Sequence, residues 1–119
     1  MSENIEFGKK GEEIAADFLR KKGFKILEMN WRSGRNEVDI IAMDKEYLVI
    51  VEVKTRSSTF AGEPETAVTR DKQRGLIIAA NSYLRFKQRS NEVRFDIVAI
   101  VIQKESETIH HIEDAFYPY

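Results

Sequence analysis

Asp39, Glu52 and Lys54 are the residues of this chain whose types and spacing best suit chemistry. They lie in two neighbouring apolar runs, Glu37-Val-Asp-Ile-Ile-Ala-Met43 and Tyr47-Leu-Val-Ile-Val-Glu-Val-Lys54. Both runs are rich in β-branched residues and nearly free of turn formers, so each reads as a strand. Asp44-Lys-Glu46 leaves room only for a tight turn between them, which makes the pair a hairpin. Side chains alternate faces along a strand, so Leu48, Ile50, Glu52 and Lys54 share one face. With Lys45-Glu46 at the tip, Asp44 faces Tyr47, and counting back along both strands sets Asp39 opposite Glu52. Two carboxylates opposed across a half-buried sheet repel each other and lose hydration. A divalent cation between their oxygens relieves both costs.

A plainer account fits the same residues: charged side chains near strand ends often form a solvated edge that binds nothing. The metal reading also depends on turn parity. A turn one residue longer would set Asp39 opposite Val51 and send the two carboxylates to opposite faces.

The rest of the chain supplies the elements that must hold this hairpin. Residues 4–22 carry an amphipathic helical pattern ended by Gly23, with Ser2 or Asn4 as its cap. Residues 24–32 read as a strand, and Ser33-Gly-Arg-Asn36 as a turn into the hairpin. Ser57, Ser58, Gly62 and Pro64 mark residues 57–68 as a loop. Residues 70–88 read as a second helix capped by Thr69, and strands follow at 94–102 and 107–112. The order αβββαββ describes an α/β domain with a mixed central sheet flanked by helices, the second helix carrying the crossover. No linker, repeat or low-complexity stretch divides the chain, so residues 1–119 are read as one domain.

Helix periodicity adds polar groups to the picture. Glu12 aligns with Gly8, Ala15, Ala16 and Leu19, a face of small and apolar residues, whereas Glu13 aligns with Lys9, Ala16, Asp17 and Arg20, which looks solvated. A carboxylate on the packed side of a helix needs a partner, either a functional site or a nearby Lys or Arg. In the second helix, Gln73 aligns with Leu76, Ile77 and Ala80, and Lys72 lies at the edge of that apolar face. A helix N-terminus favours an anion, so both residues suit a phosphate; Gln73 also suits the attacking water, or a structural hydrogen bond to a sheet backbone.

Asp39 followed by Glu52-Val-Lys54 on the next strand resembles the signature of the PD-(D/E)xK nucleases. The wider pattern resembles the YraN-like family of predicted endonucleases, which are related to archaeal Holliday-junction resolvases. The matching residues are Gly8-Lys-Lys-Gly-Glu12, Gly23-Phe24, Asn30-Trp-Arg32, Glu37-Val-Asp-Ile-Ile-Ala42, Val51-Glu-Val-Lys-Thr-Arg56, Gly62, Ala67-Val68, Lys72, Tyr83-Leu84 and Arg94-Phe-Asp96. A bare Asp…Glu-x-Lys is weak, but this ordered set is specific. Asn36 departs from the Gly usual there; Asn also tolerates a left-handed turn.

The resemblance implies a restriction-endonuclease-like αβββαβ core and a metal-dependent endonuclease acting on DNA. Asp39, Glu52 and Glu12 would hold Mg²⁺ or Mn²⁺, with the Val53 carbonyl as a further ligand. The ion would activate a water for attack on phosphorus. Lys54 would orient that water or stabilise charge on the phosphoryl oxygens. Gln73 joins the catalytic set, and Arg32, Arg35, Arg56 and Lys72 would contact nucleic acid. The relation to junction resolvases implies branched DNA and a homodimer, because two symmetric cuts need two sites.

Composition narrows the setting. The 119 residues are 42% hydrophobic and 33% charged, which suits a folded domain. There is no Cys, which excludes disulfides and thiolate zinc sites. The N-terminus lacks the basic and apolar regions of a signal peptide, and no apolar run approaches the roughly 20 residues of a membrane span. A cytoplasmic protein is expected. The formal charge of −1 does not suit bulk attraction to DNA. Local basic clusters at Arg20-Lys-Lys22, Arg32/Arg35, Lys54/Arg56, Arg70/Lys72/Arg74 and Arg85/Lys87/Arg89 permit phosphate contacts, while acids gather from Glu105 to Asp114.

No Walker loop or dinucleotide fingerprint is present. His110 and His111 are adjacent, so on a strand they point to opposite faces, and a surface role is expected for both. Asp96 suits a buried salt bridge as well as catalysis. Trp31 and Phe60 suit base stacking, with core packing the commoner fate of Trp31. The main alternative to a nuclease is a nucleic-acid-binding module with the same fold and little or no activity; a third is an interaction protein that docks a partner on a polar face.

Overall fold

A computed structural model of the protein describes residues 2–57 and 68–117, with side chains from Glu6 onward. Most of the expected 57–68 loop, with Phe60, Gly62 and Ala67, lies outside the described residues, as do the side chains of Ser2 and Asn4. The elements are α1 (Ser2–Lys21), β1 (Lys25–Ser33), β2 (Asn36–Asp44), β3 (Tyr47–Arg56), α2 (Arg70–Phe86), β4 (Val93–Gln103) and β5 (Ser106–Phe116). They follow the expected order.

Five strands form one sheet in the order β1-β2-β3-β4-β5. β3 and β4 are parallel, joined by a crossover through α2, and every other neighbouring pair is antiparallel. α2 covers one face and α1 the other. Leu48, Ile50, Phe95 and Ile97 pack with Leu76, Ala79, Ala80 and Tyr83 of α2. Val49, Val51, Val98 and Ile100 pack with Ala15, Ala16 and Leu19 of α1. β3 is buried on both faces, which explains why it reads as a continuous apolar run instead of an alternating one.

Thr69 caps α2 as expected, its hydroxyl accepting from Lys72 N–H at 3.2 Å. Trp31 meets Tyr83 edge-on, with ring centroids 5.1 Å apart, and so joins the packing under α2. Two expectations need correction. The left-handed turn residue after β1 is Gly34, at φ 59, not Asn36. Asn36 has already entered β2, and its side chain abuts Gly75 of α2. β5 runs four residues beyond the expected end, to Phe116, by passing a register shift near Asp114, whose φ is 56.

α1 touches β3 where it has no side chain. A Cβ at Gly11 would fall on the Thr55 side chain, whereas one at Gly8 would meet nothing within 4 Å. Gly→Ala inside a helix gains about 1 kcal/mol in propensity, while overpacking costs about 1–3 kcal/mol. The overlap at Gly11 includes Thr55 Cβ, which cannot swing aside, so the steric cost wins there. Gly11→Ala should lower the melting temperature, and Gly8→Ala should raise it. Equal shifts in thermal melts would mean that α1 does not pack on β3 in this way. No helix among the described residues is long and apolar enough to cross a membrane.

Candidate active site

The site begins where the β2–β3 ladder ends. Pairing runs from Asp44–Tyr47 to Ile40–Val51, the parity that brings Asp39 and Glu52 to one face. Beyond Ile40 the backbones no longer pair. Instead Asp39 Oδ2 accepts from Val53 N–H at 2.8 Å, a carboxylate standing where a backbone acceptor would be. Asp39 and Glu52 are thus brought together as side chains past the end of the ladder, not as a paired cross-strand position.

Glu52 is only 4% exposed. Its Oε2 lies 3.5 Å from Lys54 Nζ and 3.8 Å from Lys72 Nζ, and its Oε1 is buried with no hydrogen-bond partner. Burial pushes the Glu52 carboxyl up to about 7, the Asp39 carboxylate adds to the shift, and Lys72 and Lys54 oppose it. Burial likewise raises Asp39, against the Val53 N–H, the Lys72 charge and a hydrogen bond from the Glu52 carboxyl when that group holds its proton. Desolvation wins for both groups because the nearby ammoniums stand at ion-pair distances and do not hydrate the carboxylates as water would.

Glu12, half-buried on α1, lies near enough to Asp39 to feel its charge, and Glu13 is exposed, as the helix periodicity indicated. Burial raises the Glu12 carboxyl, and Asp39 raises it further; the Asn30 side chain, donating to it, pulls the other way. Glu37 adds negative charge beside both Glu12 and Asp39. Asn30 and Glu37 are the site neighbours that periodicity could not assign. The signal at Asn30 is conformational: it sits inside β1 at φ 53, where Asn is among the tolerated residues.

The other expected site residues are placed as follows. Lys54 faces Glu52, as alternation required. Lys72 and Arg35 line a cavity of about 310 Å³ together with Asn36, Glu37, Asp71, Gly75 and Leu76. Arg32 is exposed and pairs with Glu37 at 3.0 Å. Gln73 donates its Nε2 to Val68 O at 3.1 Å, a bond to the chain entering α2 and not to the sheet. Val53 enters the site through its N–H. Arg56 is part-buried at the end of β3.

His111 needs correction, because it is not a surface residue. Its side chain is 3% exposed and lies between the edges of Phe18 and Phe24. Lys22 Nζ has no lone pair and must donate to Nδ1, at 2.7 Å, so Nε2–H donates to Asp96 Oδ2 at 2.8 Å. Asp96 also takes two bonds from Arg94, each 2.9 Å, and one from Asp114 N–H at 3.0 Å. Burial alone would raise the Asp96 carboxyl, but His111, Arg94 and Asp114 outweigh it and hold it low. Asp96 is a salt-bridge residue on the α1 face. His110 is exposed, as expected.

The donor set suits a hard divalent cation in kind, since it offers carboxylate oxygens, one of them a buried acceptor with nothing to accept. Asp39 and Glu52 would be the first ligands and Glu12 the third. Among the described residues, no three acidic or histidine groups converge into a ready-made ligand set.

Comparison with known proteins places the chain. A model of the uncharacterised protein family UPF0102 matches residues 11–100. The chain belongs to this family. A UPF0102 protein of Phocaeicola vulgatus is 48% identical over 118 residues, covering 99% of this chain and 98% of the relative. Another, of Flavobacterium psychrophilum, is 44% identical over 119 residues and covers both chains completely. A third, of Chlorobium chlorochromatii, is 44% identical over 118 residues, with 94% and 92% covered. The family match spans α1 from Gly11, the whole β2–β3 hairpin and Lys72.

Proposed function

We propose that the protein is a cytoplasmic, metal-dependent endonuclease of the PD-(D/E)xK superfamily that hydrolyses DNA phosphodiester bonds. The observation that carries this reading is the unpartnered, buried Glu52 Oε1 beside a second carboxylate. With Glu52 ionised, a buried acceptor with no donor costs about 1–3 kcal/mol; the neutral carboxyl can instead donate to Asp39, so the cost falls on the charged form that a cation would bind. A divalent cation, Mg²⁺ or Mn²⁺, would satisfy that oxygen and, when bound, would polarise a phosphate and acidify a water.

The chain's own residues then have distinct tasks. Val53 N–H fixes the orientation of Asp39. Lys54, 3.5 Å from Glu52 Oε2, is positioned to orient the attacking water or to stabilise charge growing on the phosphoryl oxygens. The Val53 carbonyl is the natural further oxygen ligand. Arg35 and Lys72 supply cations along the adjoining cavity for the phosphate backbone. Arg32 and Arg56 would extend that contact, and Gln73 would complete the catalytic set from α2. The resemblance to junction resolvases suggests branched DNA as substrate and a homodimer as the working form.

One observation favours a second reading, a nucleic-acid-binding module without activity. Lys54 and Lys72 already balance part of the Glu52 charge, as lysines that hold a phosphate beside an acid would. The two readings separate in a cleavage assay on single-stranded, duplex, flap and four-way-junction DNA with Mg²⁺ or Mn²⁺. Cutting that needs the ion and disappears in Glu52→Ala supports the nuclease. No cutting of any form, or equal cutting by both proteins, rejects it.

A further inference from the structure

The first turns of α2 separate two cavities. One holds Arg35 and Lys72 and belongs to the site above. The other, of about 320 Å³, is lined by Arg70, Gln73, Arg74, Ile77 and Tyr117. Only Gln73 of this second group has a place in the cleavage chemistry. We propose that the second cavity binds one unpaired nucleotide of a nucleic-acid strand, with its base stacked on Tyr117 and its phosphate on Arg70 and Arg74. The proposal rests on the nuclease reading only in taking nucleic acid as the ligand.

Tyr117 is the central observation. It is 61% exposed and follows directly on the last residue of β5. The preceding residue, Phe116, is buried and stacks on Phe95, with ring centroids 5.0 Å apart and an interplanar angle of 24°. A ring left in solvent beside an anchored neighbour is a stacking platform with little conformational entropy to lose. Every base has a π-face, so such a platform tolerates sequence.

The other walls match the rest of a nucleotide. Among the described residues the lining includes two guanidiniums, each already engaged within the protein, and no carboxylate, so these walls suit an anion that can compete for them. Arg74 donates to Asp71 at 2.9 Å, but both side chains are largely exposed, at 70% and 91%. Exposed pairs of this kind are weak, and a phosphate that accepts two bonds from the guanidinium competes well with them. Ile77 gives the cavity an apolar wall, and Gln73 is fixed by its bond to Val68 O. The volume lies at the low end of the roughly 300–1,000 Å³ of ligand sites, too small for a duplex. The cavity also adjoins the chemistry, because Lys72, one residue from Gln73, stands 3.8 Å from Glu52 Oε2. A strand leaving the carboxylates along α2 would meet it, which favours substrates with unpaired nucleotides beside the scissile bond.

Fluorescence anisotropy with a short labelled oligothymidylate and a duplex of equal length, both in EDTA to prevent cutting, tests this. The proteins are wild type, Tyr117→Ala, Tyr117→Phe and Arg74→Ala; both positions are exposed, and melting temperatures verify folding. Tyr117→Ala should weaken single-strand binding about tenfold, the loss of one base stack, and Tyr117→Phe should restore it. Arg74→Ala should weaken binding and flatten its salt dependence. Duplex binding should change less than about twofold in every variant. Single-strand binding by Tyr117→Ala equal to wild type overturns the proposal; if wild type still cuts DNA, the nuclease reading stands without it. Wild type that neither binds nor cuts any nucleic acid overturns both.

Discussion

Glu52→Gln should cut DNA at least about a hundredfold more slowly than wild type, and in metal-free buffer at pH 8 it should be the more stable protein. The second half follows from proton linkage. The unfolded chain releases the Glu52 proton near 4.5, whereas the folded protein holds it to about 7, chiefly through burial. Between those values folding takes up a proton, so stability falls as pH rises across that window and stays reduced above it. Gln cannot ionise, and its amide can donate to Asp39, so the variant escapes the penalty. It gives up the Lys54 and Lys72 ion pairs, both at 3.5 Å or more from Glu52, and their loss offsets part of the gain. A net gain of about 1–3 kcal/mol is expected at pH 8, shrinking toward zero or below at pH 5. Mg²⁺ or Mn²⁺ should then raise the melting temperature of wild type and leave Glu52→Gln nearly unmoved. Thermal melts at both pH values, with and without the ion, check this. A variant less stable than wild type at pH 8, with equal metal shifts in both, would show that Glu52 serves the fold and not a ligand.

The hairpin was legible because its parity depends on one local feature. A two-residue turn at Lys45-Glu46 fixes which side chains share a face, and the ladder from Asp44–Tyr47 to Ile40–Val51 follows from it. The choice of Glu12 over Glu13 was legible for the same reason, since helix periodicity is local. The end of that ladder was not. Strand alternation treats Asp39 as one more paired residue, but β1 shifts register between Ile26 and Glu28 and turns left-handed at Asn30. Such irregularities come from packing between elements, and the one hint in the residue types, Asn30, is too common a residue to locate them. His111 was misread for a different reason. Alternation on β5 puts it on the face of Ile109, which packs on the α1 side, so a signal existed. The neighbouring His110, Glu113 and Asp114 masked it, because a polar run reads as solvated until Asp96 supplies a buried partner.

Asp96→Ala should cost about 3–5 kcal/mol of stability, as much as truncating a large core side chain. Asp96 is fully buried and accepts from Arg94, His111 and Asp114 N–H. Alanine leaves the His111 Nε2–H buried without an acceptor and takes the side-chain acceptor from the Asp114 N–H. Arg94 keeps Asp44 at 2.9 Å and Glu113 at 3.5 Å, which limits the loss on its side. Asp96→Asn retains one acceptor and should cost roughly half as much. The pH dependence has the opposite sign to that of Glu52. The Asp96 carboxyl is held below its ordinary 3.8, so its contribution is complete above that value and disappears only as pH falls further. The two acids stand almost back to back, since Asp96 pairs in register with Val51, the residue before Glu52, but on the other face of the sheet. Their variants should therefore separate cleanly. Asp96→Ala should lose stability and retain cleavage in proportion to the folded fraction, whereas Glu52→Gln should lose cleavage and keep its fold. Urea unfolding of the Asp96 variants, set beside their cleavage rates below the unfolding transition, measures both. An Asp96→Ala protein that stays stable but stops cutting would instead place this cluster in the catalytic machinery and remove the distinction between the two faces of the sheet.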